Sequence, residues 1–408
     1  MNSRYFRVLL GLVLVAGLLL PGFVPEQPVA ASPSIVGVEW NQGTDTWMWI
    51  DVDGGGIGAP NFDAVSPWQD IVRCTLNADG SENEVSANGK GNDINLDGST
   101  GNVMVRIPKF WIKSDSPGAN RYRWWISDAA HAGFVVHPVF YQRGNTAAPT
   151  NYIYVGAYEA GYDGVSKLRS QTGDTVLVSE TIGTFRTRAE AIDSVRWGIT
   201  SIWSLSAIKL LYYIEYADAD SQTTIGKGIT GAAAKSVTGD DGIDANLATN
   251  GTGTGTGVDD ETPIAYRGIE NLWGNVGLFI DGYNAVNGSD AAHVKYRLIN
   301  RDGSGTFADA LAGGDYEESS NLVNPSNGYI KNIVWEDLLS LQFIGSDNTG
   351  LTTSHLYDYF YVHDAGEVNI LFAGGGWAYG AMAGVAFLLS YGDATISYAY
   401  VGGRLEFI

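Results

Sequence analysis

YRGIENLWGNVGLFIDG, Tyr266 to Gly282, is the stretch on which the fold turns. It begins just after Pro263, where the chain becomes a succession of aromatic-rich strands and turns that continues to Ile408 with no linker obvious enough to mark another domain. Immediately upstream, glycine, threonine and alanine dominate from Gly226 to Asp260 and end in TNGTGTGTGVDD. So few apolar side chains cannot offset the entropy of ordering, which predicts an exposed, mobile insertion at about 226–260.

Further toward the N-terminus two helices are expected. Thr184 is an N-cap candidate for the stretch to Val195, and Thr200 or Ser201 for a longer helix. In the longer one Trp203, Ala207, Leu210, Leu211 and Ile214 recur at three- and four-residue spacing and should face inward. IPKFWIK (Ile107 to Lys113) and RYRWWIS (Arg121 to Ser127) read as paired strands around a turn at Asp115 to Asn120. From residue 32 to 104 short apolar pieces alternate with Gly, Asn and Asp clusters, which predicts a small β-rich region ahead of a domain spanning 105–408.

Composition narrows the function. The 408 residues are 45% hydrophobic and 12% aromatic, which supports a sizeable core. With 45 acidic against 24 basic residues the net charge is -21, which repels phosphate backbones and argues against a nucleic-acid partner. Arg4 and Arg7, the apolar run Val8 to Val24 and the small residues Ala30, Ala31 and Ser32 fit a secretory signal over residues 1–31 better than an uncleaved anchor, because Pro21 shortens the apolar helix. A secreted or cell-surface location follows, with a virion as the alternative, and no membrane insertion is expected after cleavage. Cys74 is the single cysteine, so no intrachain disulfide can form.

The chemical motifs are weak. Asp93, Asn95, Asp97 and Gly98 match the opening of a calcium loop, but Met104 stands at the twelfth position, which favours an Asx-rich turn over a filled site. Gly226, Gly228 and Gly231 form a G-x-G-x-x-G that follows a helix rather than a strand, unlike a dinucleotide site. His131, His137, His293, His355 and His363 lack the spacing of a zinc or iron set. No metal, cofactor or catalytic residue is expected.

The Tyr266 to Gly282 stretch resembles the N-x-x-G-N-x-W-E-W element of the formylglycine-generating-enzyme branch of the C-type lectin fold. With IPKFWIK, HPVFYQRG (His137 to Gly144), YIYVGAYEA (Tyr152 to Ala160), TIGTFRT (Thr181 to Thr187) and GGRL (Gly402 to Leu405), the chain resembles the variable proteins of diversity-generating retroelements and their phage tail relatives. The resemblance implies an α+β, C-type-lectin-like domain with two helices and small antiparallel sheets. It also implies a binding protein rather than an enzyme, because the late cysteines of the formylglycine-forming branch are missing. Asn271, Gly274 and Val276 match that branch's calcium element, but Leu278 replaces its Glu, so Asn271 is expected to hold a turn.

In such families errors at template adenines diversify one C-terminal repeat, here about 374–405. The positions implied to vary are Gly376, Ala378, Tyr379, Ala381, Ala386, Leu388, Ser390, Tyr391, Gly392, Asp393, Ser397, Tyr398 and Tyr400. Each is reachable from an asparagine codon by changing adenines, whereas Met382 is not. Trp377, Gly380, Gly384, Phe387, Val401, Gly402, Gly403 and Arg404 read as scaffold between them. Tyrosine with serine, glycine and aspartate suits a recombined contact surface, and an ordinary aromatic-lined domain end is the plainer reading. The expected partner is a protein or cell-surface ligand; an invariant structural or virion adhesion protein is the competing function, ahead of a formylglycine-generating-enzyme-like enzyme.

Overall fold

The computed structural model describes residues 35–231, 238–239, 243–309, 315–364, 366 and 368–408. The signal sequence expected over residues 1–31 lies outside the described residues. The described chain is α+β: most of its regular structure is strand, in several small sheets, with two substantial helices. Among the described residues no helix is long and apolar enough to cross a membrane.

Helix α1 is Ile182–Glu190, capped by Thr181, whose hydroxyl accepts from the Thr184 amide at 3.2 Å. The cap therefore falls three residues earlier than expected, and Thr184 supplies the donor. Helix α2 is Ile202–Tyr216, capped by Ser201. Its burial is not confined to one face, since every residue from Ile202 to Glu215 is buried. Tryptophans from elsewhere in the chain reach it: Trp49 Nε1 donates to the Ile214 carbonyl at 2.8 Å and Trp68 Nε1 to that of Leu211 at 3.1 Å, while the helix's own Trp203 Nε1 donates to the Ile299 carbonyl at 2.8 Å. A helix surrounded in this way is the centre of the core rather than a surface element.

One five-stranded sheet runs Thr46–Ile50, Ile35–Asn41, Arg121–Ser127, Trp111–Gly118, Val135–Val136. The expected pairing around residues 115–120 is present, with Trp111 opposite Ser127, but IPKFWIK is divided. Its first residues end the strand Asn102–Pro108, in a second sheet. That sheet orders Trp197–Ile199, Leu405–Phe407, Tyr152–Gly156, Asn102–Pro108, Val72–Leu76, Glu82–Val85, so the chain's last strand is inserted between two others.

Two expectations about organisation change. The boundary read at 104/105 falls inside Asn102–Pro108, and Ile35–Asn41 pairs with Arg121–Ser127 along its whole length. Residues 34–408 form one compact unit because the early strands complete sheets built by later ones. The insertion at about 226–260 is also packed where it is described. Ile229, Ile243 and Leu247 are buried, and Gly253–Thr254 pairs with Ile264–Tyr266. Three spaced apolar side chains anchor a glycine-rich segment whose average composition looks mobile. Residues 232–237 and 240–242 lie outside the described set.

The third sheet positions the C-terminal segment. Its strands run in the order Tyr316–Glu318, His293–Ile299, Gly277–Asn287, Asn369–Ala373, Leu388–Leu389, Tyr359–Tyr361, Gly328–Tyr329. Leu388–Leu389 is thus an interior strand, antiparallel to Asn369–Ala373 and parallel to Tyr359–Tyr361.

Candidate functional site

The Tyr266 to Gly282 stretch builds the frame of the site. Tyr266 and Ile269 pair across Arg267 and Gly268, both with positive φ (48° and 87°), a two-residue turn that glycine eases. Asn271 and Asn275 follow in left-handed geometry, at φ 49° and 56°. Their side-chain amides donate to the buried carboxylate of Glu159, at 3.1 and 2.5 Å. Glu159 thereby sits on the asparagines of the calcium-like element, while Leu278 is buried apolar contact. Burial raises the Glu159 carboxyl to about 7 against the pull of Arg404 and the asparagines. The Arg404 guanidinium, 1% exposed, donates to the carbonyls of Gly156, Glu270 and Asn271. Its expected role as buried anchor matches this geometry.

The thirteen positions implied to vary divide. Gly376, Ala386, Leu388 and Ser390 are buried, and this corrects their assignment to a display surface. A Cβ on Gly376 would lie 3.3 Å from the Asn275 carbonyl. The Ala386 amide donates to Asp358 at 2.7 Å, Leu388 lies between two strands, and the Ser390 hydroxyl accepts from Tyr283 at 2.8 Å. Gly392 has φ 91°, where any other residue would be strained, so it too is scaffold. Trp377 moves the other way, being half-buried rather than enclosed.

The remaining eight reach solvent: Ala378, Ala381, Tyr391, Ser397 and Tyr398 are exposed, and Tyr379, Asp393 and Tyr400 are half-buried. Tyr398 and Tyr400 stack at 4.9 Å with 10° between planes. Their backbones are held, since the Tyr398 carbonyl accepts from Ser179 and that of Tyr400 from Gly277. The Tyr379 hydroxyl is raised by burial first and then by the hydroxyls of Tyr400, Tyr361 and Tyr398. Tyr379 meets Tyr361 ring to ring at 6.3 Å, Tyr361 meets Tyr359 at 4.6 Å, and Tyr359 meets Tyr329 at 5.1 Å. Tyr379, Tyr361, Tyr359 and Tyr329 therefore form a row of four rings in contact, and the stacked pair Tyr398–Tyr400 is a separate ring pair of the same C-terminal segment as Tyr379. Ser390 is excluded by burial. Among the described residues no ring contact joins Tyr391 to the row, and Asp393 closes its own turn by accepting from the Thr395 amide.

Tyr329, Tyr359 and Tyr361 were missed from the sequence. The signal was the alternation Tyr357, Tyr359, Tyr361 around Phe360, which is fully buried while its neighbours reach solvent. Met382, the residue outside the adenine rule, puts its sulfur 3.6 Å from the Tyr361 hydroxyl.

The alternative sites have structural partners. Cys74 is fully buried and its thiol is pushed up to about 12, far from a reactive thiolate. His137 is buried and pushed down to about 3; its Nδ1 accepts from the Val139 amide, so Nε2 is the donor toward Ser206 and cannot act as its base. Asp93 accepts from Ser86 and Ala87 across the loop, while Asn95 accepts from the Asp97 amide and Asp97 from that of Ser99, two successive Asx turns. Gly226, Gly228 and Gly231 lie in a loop, with the Gly226 carbonyl accepting from Trp273. Among the described residues no three His, Cys, Asp or Glu side chains gather in a way that could hold a metal ion. No protein-family model and no curated protein matches the chain.

Proposed function

We propose that this is a secreted or surface-displayed, non-enzymatic binding protein of the retroelement-diversified kind, presenting changeable side chains on a C-type-lectin-like scaffold. The observation that carries the reading is the set of six solvent-reaching tyrosines, a row of four and a stacked pair, three of which, Tyr379, Tyr398 and Tyr400, belong to the C-terminal segment. Such rings give large contact area for few frozen torsions. Two features support the scaffold half of the proposal. The N-x-x-G-N turn is held by Glu159 and Arg404, and the backbones beneath Tyr398 and Tyr400 are held by the amides of Ser179 and of Gly277, two residues past that turn. Its partner in this reading is a protein or cell-surface ligand.

The burial pattern reduces the proposed variable set to Ala378, Tyr379, Ala381, Tyr391, Asp393, Ser397, Tyr398 and Tyr400. The test is the neighbouring DNA. A second copy of the 3′ repeat, adenine-bearing at these codons and beside a reverse-transcriptase gene, is the expected finding. A gene with neither would instead be that of an invariant adhesion or virion protein.

A further inference from the structure

We infer that the tyrosine row is one half of a docking surface whose other half is an acidic cleft outside the C-terminal segment, and that its partner is a protein segment presenting lysine or arginine. The inference rests on the display reading and adds to it a fixed subsite and a partner chemistry.

The two halves meet at the short 3-10 turn Gly380–Met382. On one side of it Met382 touches Tyr361. On the other, Ala381 lines a cleft of about 520 Å³ together with Asp220, Thr223, Asp259 and Tyr357. Gln222 fixes the partition by donating to the carbonyls of Gly380 and Ala383, at 2.8 and 2.7 Å. A side chain entering the cleft would therefore lie one turn of backbone away from the rings of Tyr379 and Tyr361.

The charges in and around the cleft are unequal. Asp220 and Asp259 line it, and the Tyr357 hydroxyl, also on its wall, is pushed up by burial first and then by the carboxylates of Asp218, Asp45 and Asp220. Asp218 is itself raised, by burial first and then by repulsion from Asp220 and Asp45. Asp358 also lines the cleft; burial raises its carboxyl, and it is engaged by the Ala386 amide at 2.7 Å. Facing these are Lys227, 3.4 Å from Asp259, and His355, 4.0 Å from Asp45. A cation entering here relieves repulsion between carboxylates, and its apolar stem can lie on tyrosine faces that also attract cations. Anionic and purely apolar segments gain neither term.

The test uses the full chain titrated with an oligolysine peptide, with oligoglutamate as control. A protein of net charge -21 attracts any polycation, so the variants decide. Asp220→Asn with Asp259→Asn should weaken oligolysine binding roughly tenfold, and Tyr361→Ala and Tyr398→Ala each roughly fivefold. Asparagine keeps the acceptor that Asp220 offers the Thr223 amide, so the fold is spared. A control pair at exposed sites, Asp53→Asn with Asp193→Asn, should change little. Equal losses from both aspartate pairs, or none from the cleft pair, would overturn the inference. Loss at Tyr398 without loss at Tyr361 or the cleft would also overturn it, confining contact to the C-terminal segment and leaving the display reading intact. Loss at the cleft and Tyr361 with none at Tyr398 would uphold the fixed basic subsite and contradict the display reading.

Discussion

Residues 386–390 and 391–400 adjoin in sequence and draw on the same small and aromatic residues, yet they have opposite fates. Ala386, Leu388 and Ser390 are enclosed between Tyr359–Tyr361 and Asn369–Ala373, whereas Tyr391 and Tyr398 are 49% and 36% exposed. The difference lies in what covers each piece. The first is an interior strand with a neighbour on both sides, and the second is a loop that packs Ala394, Ile396 and Tyr400 against the core but, among the described residues, has no strand covering Tyr391 and Tyr398. Residue type therefore does not separate buried from solvent-facing positions here; strand neighbours do.

The sharpest way to break the contrast is at its anchor. Arg404→Ala strips donors from three buried carbonyls and a cation from beside Glu159 and Glu270, and should cost roughly 3–5 kcal/mol in urea unfolding. A loss under about 1 kcal/mol would mean that the frame is not set there. The same network fixes the sign of a pH effect. Burial raises Glu159 from 4.5 to about 7 and Glu270 from 4.5 to about 8. Their contribution is complete below the unfolded value and is lost as pH rises through the folded ones. His137 and Lys209, pushed down by burial to about 3 and about 7, act in the opposite sense. The clean readout is therefore a difference: between about pH 4.5 and 8 the native protein should lose stability relative to Glu270→Gln.

Within the C-terminal segment, Leu388→Ala should cost roughly 2–4 kcal/mol through the cavity it leaves. Ser390→Ala should cost about 1–3 kcal/mol by leaving the buried Tyr283 hydroxyl without its acceptor. Tyr391→Ala and Tyr398→Ala should each change unfolding by only about 0.5 kcal/mol. At a true hot spot, Tyr398→Ala would still weaken ligand binding by roughly 1–4 kcal/mol. Melts in which the tyrosine variants unfold first would erase the distinction between the two regions.

Local signals were legible in the sequence. Both helices, the Arg121–Ser127 pairing and the anchoring by Arg404 follow from caps, periodicity and residue chemistry, and the turn at Asn271 is what the resemblance implied. What escaped depends on contacts distant in sequence. Nothing near Leu388 announces that Phe360 lies alongside it, and nothing near Val105 announces that its strand continues one begun at Asn102 between Val72–Leu76 and Tyr152–Gly156. Tyr359 and Tyr361 had a period-two signature, but their row's meeting with Tyr379 is a tertiary event. The glycine-rich insertion misled because three buried side chains outweigh its average composition.

The most direct test of the central claim is deep sequencing of the 3′ end of this gene across a population of its host. The account predicts amino-acid changes traceable to template adenines, concentrated at Ala378, Tyr379, Ala381, Tyr391, Asp393, Ser397, Tyr398 and Tyr400, with Gly376, Ala386, Leu388 and Ser390 constant. An unvarying segment, or changes falling as often on the buried four as on the exposed eight, would contradict it.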